Sequence, residues 1–455
     1  MALLDGSIVN VALPHIGRDL GAPVWGLQWT VNAYLLPLAA LVLLGGSLGD
    51  RFGRRRVFLI GVVWFAIASA LCGLAPGISW LVAARALQGV GSALLTPGSL
   101  ALIQSSVRPS DRASAIGGWA GLGGVASAAA PLIGGYLIDA LDWRWIFFIN
   151  LPLAAATILV VLRYAPESRD VDGAGRRFDL PGAALGALGL GGVTFGLVND
   201  SLWPGIVGGI VLAAFIAYER RSRAPMMPTG LFRSVEFSVI NAVTLLVYGG
   251  LGGMTFFVVL QLQQVVGFSA LQAGAALIPM TLILLAGSSF TGALGTRIGA
   301  RLPLSVGAAV TATGALLLVR VDAGANYWRD VFGPVVLLGI GMTLLVAPLT
   351  ATVLAAAPDR LAGVASGVNN AVARSGSLLA VAALPLVAGL TGDEYGNPAA
   401  FTNSYRIAMM ICAGLFALGA GLSFVLLPRR RSAAVVPSDD ARARRSDLRA
   451  HPTHP

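Results

Sequence analysis

Apolar runs of membrane-crossing length alternate with short polar breaks along nearly the whole chain. A helix needs about 20 residues to cross the ~30 Å hydrocarbon core of a bilayer. Runs close to or above this length predict helices over 28–48, 57–76, 79–105, 113–138, 145–164, 180–199, 203–219, 237–260, 270–295, 302–320, 331–355, 363–390 and 404–427. A further run, 1–14, stops at Pro14 and the polar segment His15–Leu20, leaving only about 21 Å of helix. The expectation there is a fourteenth span with several apolar residues and a short lead ahead of Met1. An interfacial half-helix is the alternative.

Between the runs 28–48 and 57–76 stands Gly46-Ser-Leu-Gly-Asp50-Arg51-Phe-Gly53-Arg54-Arg55-Arg56. Four arginines cannot rest in lipid, so this stretch is expected to be a tight surface turn on the cytoplasmic side. Its glycines would let two helix ends approach. The frame returns as Gly292-x-Leu294-Gly295-x-Arg297-x-Gly299-x-Arg301. Gly89-x-Gly91-x-x-Leu94-Leu95 likewise returns as Gly339-x-Gly341-x-x-Leu344-Leu345, and Asp111-Arg112 as Asp359-Arg360. Three echoes in order and at matching spacing argue for an internal duplication, a frequent plan among secondary transporters. They divide the chain into a six-helix bundle (1–164), a linker with two extra spans (165–236), a second six-helix bundle (237–427) and a tail (428–455). The tail is rich in Ser, Asp, Arg and Pro and is expected to be disordered.

Composition narrows the class. The 455 residues are 56% hydrophobic and 11% charged, with mean hydropathy +0.79. Soluble domains carry about 25% charged residues, so the fold class is an all-α polytopic membrane protein. The net charge of +10 does not mark a nucleic-acid partner, because the arginines crowd alternate loops. The opposite loops hold only Arg18, Arg144, Arg320, Arg329 and Arg406. This asymmetry predicts both termini inside, in the cytoplasmic membrane, and an even number of spans. Every basic residue is arginine, and with the Ala and Gly content this hints at a GC-rich bacterial genome. No cleavable leader is expected, for the first run lacks a charged lead and a cleavage motif. Cys72 and Cys412 lie in apolar runs and suggest neither a disulfide nor a metal site, and His15, His451 and His454 lie outside the deep spans. An intramembrane enzyme would need a deep histidine, a Cys–His pair or a carboxylate pair. The spans offer none, so no enzyme and no cofactor is expected.

At this point the residues resemble a known family. GGSLGDRFGRRRVFL, residues 45–59, is similar to the loop signature of the major facilitator superfamily. LDGSIVNVALP (Leu4–Pro14), RALQGVG (Arg85–Gly91), AAAPLIGG (Ala128–Gly135) and WRWIFFINLP (Trp143–Pro152) resemble span motifs of its fourteen-span drug:proton antiporter branch. Ala130 departs from the usual glycine before the proline of the fifth-span motif. The resemblance implies two six-helix bundles plus two inserted helices, and export of small amphipathic compounds driven by the proton gradient. Its partners would be substrate, protons and lipid, with a single chain as the working unit. A dedicated exporter of one natural product or metabolite is the same-fold alternative. A non-transporting sensor or scaffold is the rival class, and it would tolerate Asp5→Asn.

The candidate chemistry is sparse. Asp5 is the only carboxylate well inside a span. A charge near mid-bilayer costs about 2.5–3.5 kcal/mol even on the lenient scale, so it faces a partner or a water-filled cavity. The match to the family's first-span Asp implies proton coupling. Arg85 lies about one turn from it in depth and, never deprotonating, would act as a fixed positive charge. Structural bonding of Arg85 to backbone carbonyls is the bland reading. Asp50, with Gly46, Arg51, Gly53 and Arg54, is expected to latch helix ends. Pro131, Gly134 and Gly135 are expected to bend the fifth span, or merely to pack it closely. Trp143-Arg144-Trp145 reads as an interfacial anchor. Arg374 falls near mid-membrane with no deep acid in its half; Asn369 and Asn370 lie one turn away, and with Gln88 they are candidate cavity residues. One deep carboxylate against two arginines predicts a cavity neutral to positive, unless Arg374 is capped by backbone or paired with Asp5. Phe256, Phe257 and Met280 are candidates for an adaptable wall.

Overall fold

The computed structural model describes residues 1–108, 111–169, 179–222, 225–358, 361–390 and 397–428. The echo at Asp359-Arg360 and the tail from 429 onward lie outside them. Within them the chain is helical. The first set of helices is α1 (Ala2–Asp19), α2 (Val24–Phe52), α3 (Arg54–Gly73), α4 (Ile78–Ser106), α5 (Arg112–Ala140), α6 (Trp145–Phe148) and α7 (Asn150–Tyr164). Two helices follow, α8 (Leu180–Val198) and α9 (Leu202–Arg221). The last set is α10 (Val235–Gln264), α11 (Ala270–Ala276), α12 (Ile278–Ile298), α13 (Arg301–Leu318), α14 (Phe332–Ala355), α15 (Ala362–Val387) and α16 (Pro398–Leu426). The pairs α6/α7 and α11/α12 each make one span, interrupted at Ile149 and Leu277. Thirteen segments of the described residues are long and apolar enough to cross a membrane; α1 is not among them, and it packs against α5, α10 and α2.

The same pairing scheme occurs in both sets. Helix α2 packs on α4, α4 on α3, α3 on α7 and α1 on α5; in the last set α12 packs on α14, α14 on α13, α13 on α16 and α10 on α15. The echoed glycines perform the same task in each. Gly89 lies against the Tyr34 backbone of α2 and Gly91 against Phe65 of α3; Gly339 lies against Met280 of α12, and Gly341 against Gly307 and Thr311 of α13. A Cβ at any of these would collide with backbone, so small residues there set how closely the helices approach. The sets meet along two seams, α2 with α15 and α5 with α11 and α12, and α1 also touches α10. Helix α8 lies over the first seam and touches both α2 and α15.

The Gly46–Arg56 stretch departs from the expected turn. Helix α2 continues through Asp50 and Arg51 to Phe52, and α3 starts at Arg54. Only Gly53 breaks the helix, with φ 110°, a conformation that other residues adopt at a cost. Arginine is a good helix former, so nothing before Gly53 ends α2. The bend expected at Pro131 does not divide its helix either, since α5 runs as one element through it. Helix α1 likewise continues beyond Pro14 to Asp19. It begins beside Tyr34 and Ser92, for the Tyr34 hydroxyl donates to Ala2 O (3.2 Å) and shares a 2.7 Å hydrogen bond with Ser92 Oγ.

Candidate functional site

Asp5 is fully buried where α1, α3, α4 and α7 converge. Its Oδ2 accepts from Arg85 NH1, and its Oδ1 accepts from Gln88 Nε2 (2.9 Å) and Asn150 Nδ2 (3.2 Å). Arg85 is equally enclosed. Its Nε donates to Thr30 O (3.0 Å), NH1 also donates to Gln88 Oε1 (2.6 Å), and its guanidinium lies 4.3 Å from the Tyr34 ring centroid. Ser69 Oγ accepts from Gln88 (3.2 Å) and Asn150 (3.0 Å) while donating to Phe147 O (2.9 Å). A buried carboxylate and guanidinium are tolerable only when paired and hydrogen-bonded in this way. Arg85 and Gln88 reach the same acid because residues three apart share a helix face.

Sequence reasoning brought Asp5 and Arg85 together but not the rest of this cluster. Gln88 serves Asp5 and has no exposure, so it does not face an open cavity as expected. Ser69 and Asn150 carry no signal in the sequence beyond a polar residue within an apolar run, such as Asn150 in WRWIFFINLP, and Thr30 takes part only through its backbone carbonyl. Phe256 and Phe257 are also core rather than cavity wall, with no exposure and ring centroids 5.6 Å apart. Met280 is half-buried and closes against Gly339.

On the other side of the seam, Arg374 is half-buried and forms no hydrogen bond or ion pair among the described residues. It is neither capped by backbone nor paired with Asp5. It lies within electrostatic reach of Tyr34 on α2 and Tyr248 on α10. Asn370 is half-buried beside it, whereas Asn369 turns to α10, donating to Thr244 Oγ1 (2.8 Å) and Asn241 Oδ1 (3.1 Å).

The described hydrogen bonds between the two sets all fall toward the end remote from Gly53. Gln28 Nε2 donates to Val381 O and Ala382 O (both 3.0 Å), and Gln263 Nε2 to Val11 O (2.8 Å). Asp139 caps the first turn of α11, accepting from Ser269 Oγ (2.7 Å), Ala270 N (3.1 Å) and Leu271 N (2.9 Å). Around this cap the fifth-span motif supplies close approach: Gly135 abuts Leu271, Gly274 abuts Pro131, and Gly134 abuts Ile8. The seam between α2 and α15 carries an orphan. Asn32, one turn from Gln28, is fully buried with neither side-chain atom hydrogen-bonded. Beside the remote end a cleft of about 680 Å³ is lined by His15, Arg18, Asp139 and Gln272, among others.

At the Gly53 end the arginine-rich stretch fastens elements of the first set to one another. Asp50 pairs with Arg54 (2.9 Å) across the glycine break, and Arg51 stacks over Phe52 (5.6 Å). Arg54 N donates to Ser168 O (3.0 Å), Arg55 N to Glu167 Oε1 (3.1 Å) and Arg55 NH2 to Leu162 O (2.9 Å). These bonds tie the start of α3 to α7 and the segment after it, which the spacing of charges along the chain did not reveal. Trp143 is buried rather than an interfacial anchor; its indole donates to Asp19 Oδ2 (2.9 Å), as does Arg144 NH1 (2.8 Å). These two bonds hold the Asp19 carboxyl below the usual carboxylate range.

A family model described as Major Facilitator Superfamily matches residues 1–381. The chain is 35% identical over 420 residues to a tetracenomycin C resistance and export protein of Streptomyces glaucescens, spanning 90% of this chain and 77% of that protein. It is 34% identical over 397 residues to the multidrug resistance protein Stp of Mycobacterium tuberculosis, spanning 84% of this chain and 73% of that protein. Among solved structures, it resembles a bacterial homolog of the human lysosomal transporter Spinster in an inward-facing and unoccupied conformation. The TM-score is 0.65 at 17% identity, over 95% of this chain and 96% of that one, a likeness of fold.

Proposed function

The chain belongs to the major facilitator superfamily, and on that premise we propose that it exports amphipathic compounds across the cytoplasmic membrane in exchange for protons. The arginine-rich end faces the cytoplasm, as the excess of arginine in its loops favours, and both termini lie there. The hydrogen bonds described across the seams all lie at the opposite end, which supports a resting state fastened on the outer side. Export follows when the two six-span sets rock and the bonds of Gln28, Gln263 and Asp139 give way.

The observation that carries the proton-coupled reading is the sealed Asp5–Arg85 pair. Among the described residues Asp5 is the one carboxylate buried away from a helix's cytoplasmic or outer loop, and each of its oxygens is bonded inside the first set. A proton delivered to Asp5 removes the charge that holds the Arg85 guanidinium against it. That loosens the cluster joining α1, α3, α4 and α7. Proton arrival from outside and departure to the cytoplasm thereby couple to the tilt of the first set. Arg85 modulates the exchange as a fixed charge and is never itself the carrier. One chain suffices as the transporting unit, since both seams lie within it.

A second reading, a dedicated exporter of one natural product, is favoured by the relative named for tetracenomycin C resistance and export. Proteoliposomes with an imposed pH gradient test both. Native protein should drive a panel of amphiphiles uphill, and Asp5→Asn should abolish uphill flux while leaving downhill exchange of substrate. Uphill flux that survives Asp5→Asn overturns the proton carrier. Movement of a single compound from the panel selects the dedicated exporter.

A further inference from the structure

Among the described residues of the two six-helix sets, Asp5 and Arg85 neutralise each other near mid-span while Arg374 has no described ion-pair partner. Its place is fixed by the seam. Gln28 bonds Val381 and Ala382 while Leu43 lies against Gly367, so α2 and α15 run antiparallel with Arg374 level with Leu35 and Leu36. Tyr34 is the neighbouring residue on α2. Tyr248 of α10 flanks the other side, because Ser377 Oγ, one turn from Arg374, donates to Tyr248 O (2.9 Å). Asn370, one turn back on the same face of α15, is half-buried with no described hydrogen bond.

A guanidinium at this depth requires an anion or water. Asp5 cannot serve, since both of its oxygens are engaged and it has no exposure. The seam therefore offers a ligand one positive charge, a free carboxamide and the half-buried Tyr248 ring, and, among the described residues, no carboxylate to receive a cation. We propose that the region around Arg374 and Asn370 binds the acid group of the exported compound. Cargo would then be a flat amphiphile carrying one ionised carboxylate, phenolate or enolate. The guanidinium takes the acid by charge-assisted hydrogen bonds, Asn370 takes a neighbouring carbonyl or hydroxyl, and the ring system lies against Tyr248. This deepens the exporter reading and rests on it for the word cargo, although binding can be measured without transport.

The test uses three probes with one ring system: anthracene-carboxylate, anthracene-methanol and anthracene-methylammonium. Each is titrated against the full-length protein in nanodiscs by fluorescence. The native protein should prefer the carboxylate. Arg374→Gln should weaken its binding about ten- to a hundredfold, with the alcohol unchanged and Arg374→Lys retaining most of the affinity. Arg374→Glu should gain binding of the methylammonium, which a misfolded protein could not do. Equal binding of all three probes, or carboxylate binding indifferent to Arg374→Gln, overturns the proposal. The same probes in proteoliposomes separate it from the exporter reading. Uphill transport of the cation in preference to the anion leaves the exporter and removes the anion site. Carboxylate binding that depends on Arg374 without uphill movement leaves the site and removes the exporter.

Discussion

Asp5 and Arg85 illustrate what a pair of charges does to its neighbours once water is excluded. Taking away one partner strands the other, at a cost of about 3–5 kcal/mol, whereas removing both leaves only neutral groups. Arg85→Gln alone should therefore lower the melting temperature in detergent more than Arg85→Gln combined with Asp5→Asn. A double variant no more stable than Arg85→Gln would refute the strained-partner account. Asp19 gives a milder, pH-dependent case. The Trp143 and Arg144 bonds depress its folded-state pKa, so its contribution is complete above the ordinary carboxylate pKa and fades as pH falls through the lowered folded value. Its side chain is about half exposed, so the contribution is only about 0.5–1 kcal/mol. Asp19→Asn should reduce thermal stability at neutral pH and match the native protein in strong acid. At this scale the sequence disclosed the ionisable residues, because a charge inside an apolar run is conspicuous. It did not disclose Ser69 or Asn150, since hydroxyls and carboxamides occur in membrane helices for many reasons and follow no period, and the Thr30 contact is through its backbone carbonyl, which no side chain announces.

Between helices, close approach does the work that side-chain interlocking does in soluble proteins. Gly135 and Gly274 bring α5 against α11, and Asp139 then reaches the free N–H groups at the start of α11. Gly274→Val would drive a side chain into the Pro131 backbone, an overpacking cost of about 1–3 kcal/mol. That variant should raise thiol-reagent labelling of a cysteine placed at position 264, on the rim of the adjoining cleft, and unchanged labelling would count against the closed seam. The small-residue motif was visible in the sequence, and so was its proline, but which neighbour it served was not. A stripe of glycine names no partner, and neither does a lone aspartate at a helix end. The arginine-rich stretch was misjudged as a turn for a related reason: it is a helix up to Gly53, and its bonding partner Glu167 lies more than a hundred residues away.

The whole molecule is two similar sets that meet along seams, and the span pattern with its echoes made that plan legible. The state in which the seams rest was not legible, because bonding across them joins residues hundreds of positions apart. Asn32 gives access to that balance. An unsatisfied buried carboxamide costs about 1–3 kcal/mol, so Asn32→Leu should deepen the closed seam and slow turnover while raising the melting temperature. A faster transporter would contradict this. The added pair of helices has an effect of its own. Helix α8 sets Phe195 beside Trp29 and Gly191 beside Leu36, at the depth of Arg374. Helix α8 thereby covers the outer face of the α2–α15 seam. A greasy molecule arriving along α8 therefore meets a packed helix rather than the α2–α15 seam, and Gly191→Leu, which would press on Leu36, is the substitution that would disturb this cover.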